Sequence, residues 1–247
     1  MSSILRYSEV DSSGFGIRIA RADLRDADEV RAMVASAQED EIELAIVRCP
    51  ADSIAVAQAM EECGGRIMDA LVYYNRSASA LPDVDPDWGQ QVRVATSGDV
   101  PSISAIAGAS FERYPSHFHA DPRLDPSRAR DAYVSWATRS VLLPEVADEV
   151  VVAEREGTIE GFMTLRCTPD GTGLIPIGGV RPECRKRGLY RALLSTCMRR
   201  LAKADMKKIT VSTQVTNAAV QKVWVRLGFE PSRAVFTFHY WRRRNAE

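Results

Sequence analysis

Between Gly173 and Lys203 an apolar extended run, a basic turn and an amphipathic helix follow one another without a break. The run is Gly173 to Val180, and the predicted helix is Lys186 to Lys203. One helix face carries Leu189, Tyr190, Leu193, Leu194, Cys197, Met198 and Leu201, the spacing of a helix packed on one side. A strand feeding straight into a helix that must pack back on it commits the chain to an α/β architecture. The turn between them places free backbone N–H groups at a helix N-terminus, beside Arg185, Lys186 and Arg187. Their positive charge suits a diphosphate, and Gly188 lets phosphates approach the backbone. Taken by itself, the same turn is equally an ordinary solvated basic turn.

The flanking segments also alternate between strand and helix patterns. Before the turn, Gly16–Ala20, Glu43–Arg48 and Ile67–Tyr74 read as strands, and Asp26–Gln38 and Asp52–Cys63 as helices. Ser77–Trp88, rich in Pro, Asp and Ser, reads as a linker. This predicts a small α/β domain over 1–76, a linker over 77–90 and a larger domain over 91–247. The small unit is too short to bury both faces of its sheet and is expected to pack on the larger one. In the larger part, Val92–Ala95 is a strand and the segment after Asp99-Val100-Pro101 a helix. A Pro- and His-containing loop, Tyr114–Pro126, leads to a helix near Ser127–Leu143. Glu149–Glu154, Thr158–Cys167 and Gly173–Val180 follow as strands, then Lys208–Thr213 and Val235–Tyr240, with a helix over Asn217–Leu227 ended by Gly228.

A net charge of -1 on 247 residues gives no bulk attraction for nucleic acid or membranes. Five cysteines without C-x-x-C spacing argue against a disulfide framework or a zinc site. With no leader pattern and no membrane-length apolar run, a cytoplasmic protein is expected.

Two motifs in order carry a family resemblance. Arg185-Lys-Arg-Gly188-Leu-Tyr190 resembles the acyl-CoA signature of the GNAT acyltransferases, an Arg or Gln, two residues, Gly, one residue, then Gly or Ala. Tyr190 departs from it by standing where a small residue is usual. Asn217, followed by a helix ending in Gly228-Phe229, resembles the family's later motif. The resemblance implies a GNAT fold, a mixed central sheet flanked by helices, with the N-terminal unit resembling a truncated GNAT half. It implies acetyl-CoA, or another acyl-CoA, as cosubstrate. His117-x-His119 invites a metal reading, but with three histidines and no fixed carboxylate partner no metal is expected. The resemblance also implies that the pantetheine arm lies where the central strands splay, bonded by the backbone of Gly179 and Val180, with Asn217 on its other side and Leu189 beside the phosphate turn. Asn217 alone also reads as a plain helix N-cap.

A narrower resemblance spans most of the chain, to the dTDP-fucosamine acetyltransferase group, which acylates nucleotide-linked 4-amino sugars. Ser13-Gly-Phe-Gly-Ile17, Phe111-Glu-Arg-Tyr-Pro-Ser-His-Phe-His119, Tyr133-Val-Ser-Trp136 and Ser212-Thr-Gln-Val-Thr-Asn-Ala-Ala219 through Tyr240-Trp241 carry it. It implies a small-molecule amine acceptor and a tendency to homodimerise. In this group a Tyr seven residues past the motif Asn protonates the leaving thiolate. Here that position is Trp224, which has an N–H donor but no usable acid, and which also reads as a core aromatic. Tyr190, His239 and Tyr240 are alternative acids, and on one strand at most one of His239 and Tyr240 faces a site. Glu112 and Glu154 are candidate bases, though each also reads as a solvated carboxylate. Arg113, His117, His119, Arg123, Arg128 and Arg130 suit a substrate diphosphate or a charged surface loop. Three functions stay open: an N-acetyltransferase for a nucleotide-linked amino sugar, a GNAT enzyme for another amine or a peptide N-terminus, and an acyl-CoA-binding protein without turnover.

Overall fold

The computed structural model describes residues 4–79, 81 and 91–243, so most of the expected linker lies outside the described residues. The first half runs β1 (Arg6–Tyr7), α1 (Glu9–Phe15), β2 (Ile19–Asp23), α2 (Ala27–Glu39), β3 (Leu44–Pro50), α3 (Ile54–Glu62) and β4 (Arg66–Ser77). Next come β5 (Val92–Val94), α4 (Val100–Phe111), α5 (His117–Ala120), α6 (Pro126–Leu142), β6 (Glu149–Arg155) and β7 (Thr158–Cys167). The chain then forms β8 (Thr172–Leu174), β9 (Gly178–Val180), α7 (Leu189–Lys203), β10 (Lys208–Gln214), α8 (Ala218–Arg226) and β11 (Glu230–Trp241).

Local chemistry sets the boundaries. Asp26 and Glu29 form a capping box that starts α2. Gly16, with φ 69°, closes α1, so the first main strand begins at Ile19 rather than at Gly16. The sequence pattern does not single out α1, which has seven residues. Lys186 and Gly188 have φ of 65° and 86°, and these left-handed residues keep the helix from starting before Leu189. The loop Tyr114–Pro126 contains the short helix α5.

Among the described residues eleven strands join one mixed sheet, in the order β1-β2-β3-β11-β4-β10-β8-β7-β6-β5, with β9 paired to β7 off this path. β11 is inserted between β3 and β4, antiparallel to both. The N-terminal elements and the last strand therefore share one hydrogen-bonded surface. On one face of the C-terminal half, α4 and α6 bury Ile103, Ala137 and Phe162. On the other, α7 and α8 bury Leu193, Met198, Trp224 and Phe229. A further cluster of Phe15, Ile19, Leu44 and Ile46 with Phe118, Leu124 and Ala129 ties the N-terminal unit to α5 and α6.

Candidate active site

The sheet opens in the middle. β8 pairs in parallel with β10, and the last bond of that ladder runs from the Ile175 N–H to the Thr210 carbonyl at 3.2 Å. Pro176 has no N–H to continue it. The Ile177 N–H donates to Thr164 Oγ1 at 3.2 Å, and the Thr164 N–H donates to the Ile177 carbonyl at 2.9 Å. The predicted strand Gly173–Val180 is thus two short strands, and its second part, β9, pairs with β7 only. Beyond Thr210, β10 has no partner on that side among the described residues, and the sheet is splayed.

Backbone alternation decides which groups face the opening. Gly179 is in register with Phe162, and the Arg181 N–H donates to the Glu160 carbonyl at 2.8 Å. The backbone groups of Gly179 are therefore spent on β7, while those of Gly178 and Val180 turn toward the opening. Of the expected pair, Val180 turns its backbone groups toward the opening and Gly179 does not. Gly179 is needed for packing instead, because a Cβ there would lie 2.8 Å from Ser110 Oγ and 3.2 Å from Ile106 Cγ2 of α4.

Arg185, Lys186, Arg187 and Gly188 are exposed around the start of α7, and Leu189 is buried beneath them. Gly188 is the N-cap and offers no side-chain acceptor, so the first N–H groups of the helix keep their donors free. Arg185 Nε donates to the Val180 carbonyl at 3.3 Å. Tyr190 turns away from the phosphate turn, and its hydroxyl oxygen accepts from Trp224 Nε1 at 3.1 Å. Trp224 is 2% exposed and packs against Tyr74, so its N–H is already committed. Burial pushes the Tyr190 phenol up, with the Trp224 bond opposing it, and the hydroxyl keeps its proton.

Asn217 stands at the N-cap of α8 without making a cap bond. Its amide donates to Thr213 Oγ1 at 3.0 Å, and that hydroxyl meets the Tyr114 hydroxyl at 3.2 Å. A cavity of about 1050 Å³ runs from Met163, Gly178, Tyr190 and Asn217 past Tyr114 and His117 to Arg21, Arg48, Arg128 and Arg139. Arg21 is paired with Asp11 at 2.6 Å, and Arg48 Nε is buried with no hydrogen-bond partner among the described residues. His117 is 5% exposed, and its Nδ1 lies 2.9 Å from His239 Nε2.

This arrangement has known counterparts. Residues 111–229 match the family model described as the acetyltransferase (GNAT) family. The chain has the GNAT fold, and residues 111–229 are its acetyltransferase part. The spore coat polysaccharide biosynthesis protein SpsD of Bacillus subtilis (strain 168) is 22% identical over 210 residues, 85% of this chain and 71% of that protein. A GCN5-related N-acetyltransferase structure from Sphaerobacter thermophilus superposes with a TM-score of 0.56 at 20% identity, over 83% of this chain and 62% of that one. The glucosamine N-acetyltransferase region of a fungal multi-domain GH3 β-N-acetylglucosaminidase gives a TM-score of 0.64 at 14% identity, over 96% of this chain and 31% of that one. The chain thus spans less than two thirds of either solved chain, and at these identities the two structures speak for the fold alone.

Several sequence-predicted residues stand apart from the cavity. Tyr240 packs in the N-terminal core with Val47, Val56 and Met60. Arg113 and Glu112 are exposed, and Glu154 pairs with Arg93 at 2.6 Å. Arg123 is bound to Asp121 and lies over the Trp241 ring. His119 Nδ1 bonds to Ser116 Oγ at 2.9 Å. Of the expected acceptor residues His117 and Arg128 line the cavity. The sequence reading missed Arg21 and Arg48 because they come from the N-terminal strands. The signal for Arg48 is a lone charge in the apolar run Leu44–Cys49, where a buried cation needs a reason.

Proposed function

We propose that this enzyme transfers the acetyl group of acetyl-CoA to the amine of a nucleotide-linked amino-deoxysugar. The observation that carries the reading is one cavity continuous from the sheet opening to a wall of arginines. The pantetheine arm lies in the opening as an added strand on Gly178 and Val180, with the side-chain oxygen of Asn217 accepting from its other side. The coenzyme diphosphate rests on the free N–H groups of α7, with Arg185, Lys186 and Arg187 around it. The Val180 N–H stabilises the oxyanion as the amine attacks the thioester. Tyr190, its oxygen occupied by Trp224, has its O–H free to bond the departing sulfur.

Arg21, Arg48, Arg128 and Arg139 suit the diphosphate of an activated sugar, since guanidinium–phosphate bonds are charge-assisted and bidentate. The unpartnered Nε of Arg48 is a donor that a phosphate oxygen satisfies. Glu9, Asp11 and Asp131 line the same cavity, with Asp11 paired to Arg21 and Asp131 to Arg130. The name of SpsD, a polysaccharide biosynthesis protein, is in keeping with sugar chemistry. The five free cysteines suit a reducing cytoplasm.

The test is thiol release from acetyl-CoA with a panel of amines that includes dTDP-4-amino-4,6-dideoxyhexoses. Release with the nucleotide sugars is expected. Release with peptide amines or polyamines alone moves the acceptor assignment, and coenzyme binding with no release for any amine overturns the reading.

A further inference from the structure

Two of the three histidines form a buried chain that ends at the cavity. It starts at Asp121, which is 1% exposed. Asp121 Oδ2 accepts from Trp241 Nε1 at 2.7 Å and from His239 Nδ1 at 2.8 Å. Asp121 Oδ1 accepts from the Arg123 N–H at 3.0 Å and from Arg123 Nε at 3.1 Å. Burial opposes ionisation of this carboxyl, but the donors on His239, Trp241 and Arg123 hold it well below the usual carboxylate range. A carboxylate only accepts, so the His239 proton sits on Nδ1. His239 Nε2 is then a lone pair, and the His117 Nδ1 that meets it at 2.9 Å must carry a proton. That leaves the lone pair of His117 on Nε2. Burial lowers the pKa of both rings, helped at His117 by the neighbouring His239, Arg21 and Arg48.

We infer that His117 is the base that removes the proton from the attacking amine, through Nε2, with His239 and Asp121 as positioning residues that fix its tautomer. The inference rests on the acetyl-transfer reading but not on the identity of the acceptor. As the amine nitrogen bonds to the thioester carbon, the carbon–sulfur bond breaks and its electron pair leaves on sulfur. The proton shed by nitrogen passes to Nε2. The imidazolium then returns it through solvent to the thiolate, leaving an amide and a free thiol. A weakly basic imidazole suits this step, because the nitrogen becomes strongly acidic only once it is bonded to the carbon. The groups facing the pair include Asp69 on β4, Arg21 on β2, Arg48 on β3, and Arg123 and His119 around α5.

The experiment has one arm that needs no acceptor. Nitrogen-15 NMR of the three histidines, assigned by single substitutions, is expected to show His117 neutral at neutral pH with Nε2 unprotonated. Asp121→Asn leaves one acceptor oxygen for the donors of Trp241, His239 and Arg123, so the single tautomer of both rings should give way to a mixture, a change that loss of a merely structural contact does not produce. The second arm uses turnover of the best amine in the panel. His117→Gln is expected to lower kcat by about 100-fold, with the acetyl-CoA Kd and the thermal midpoint retained as controls for folding. A proton on His117 Nε2, or a charged ring, in the wild-type protein overturns the proposal, as does an unchanged kcat in His117→Gln. If no amine in the panel turns over, the acceptor reading fails and the NMR result still decides the base.

Discussion

The Trp224–Tyr190 contact decides which of two aromatic positions keeps an uncommitted proton. Trp224 stands two helical turns past Asn217, and its indole N–H is spent on the Tyr190 oxygen rather than left for sulfur. Tyr190 supplies the remaining hydroxyl proton at the cavity wall. Removing it in Tyr190→Phe should lower kcat by about 100-fold, as for the loss of one preorganised donor, with little change in acetyl-CoA affinity by calorimetry. Trp224→Phe should lower kcat less and destabilise the fold by about 1–3 kcal/mol, since it removes a buried donor and part of a packed ring. The two buried histidines predict a pH effect on stability. Their folded pKa values lie below the ordinary 6.5, so on acidification the unfolded chain takes up protons that the folded chain refuses. Stability is full above about pH 6.5 and falls below it by up to about 1.4 kcal/mol per unit for each ring, until the folded values are reached. Urea midpoints at about pH 7.5 and about 5.5 should differ in that sense, and His117→Gln should shrink the difference.

At the scale of elements, the opening between β9 and β10 depends on Pro176 ending one ladder and on Thr164 satisfying the backbone of Ile177. The glycines around it do separate jobs. Gly179→Ala would press a methyl group on Ser110 and Ile106, and overpacking of this kind costs about 1–3 kcal/mol, read in denaturant unfolding. Gly188 has open space around its Cβ position but a φ of 86°. Gly188→Ala should therefore cost only about 1–2 kcal/mol of stability, while weakening acetyl-CoA binding by crowding the free N–H groups of α7. Much of this was legible in the sequence. The basic turn, Gly188 and Asn217 stand on the elements their spacing predicted. The break in Gly173–Val180 was obscured because its apolar pattern continues through Pro176, and the ladder partner is what decides whether a strand persists.

Across the whole molecule, β11 holds the two halves together by lying between β3 and β4. Truncation before Glu230 should therefore abolish the cooperative thermal transition rather than trim an edge. Arg48→Ala should raise the KM for a nucleotide sugar by about tenfold, the loss of one charge-assisted bond of about 1.5–3 kcal/mol being partly offset by water, while leaving acetyl-CoA affinity unchanged. The sequence by itself determined the succession of strands and helices and the anion-ready turn, because periodicity, glycine placement and helix-end charge are local properties. Tertiary structure decided which acceptor residues meet. Arg113, His119 and Arg123 are close to His117 in the chain yet stand outside the cavity, whereas Arg21, Arg48 and His239 reach the cavity or its proton chain from distant strands. Side-chain direction on a strand is set by register with its neighbours, and the register here joins residues separated by most of the chain.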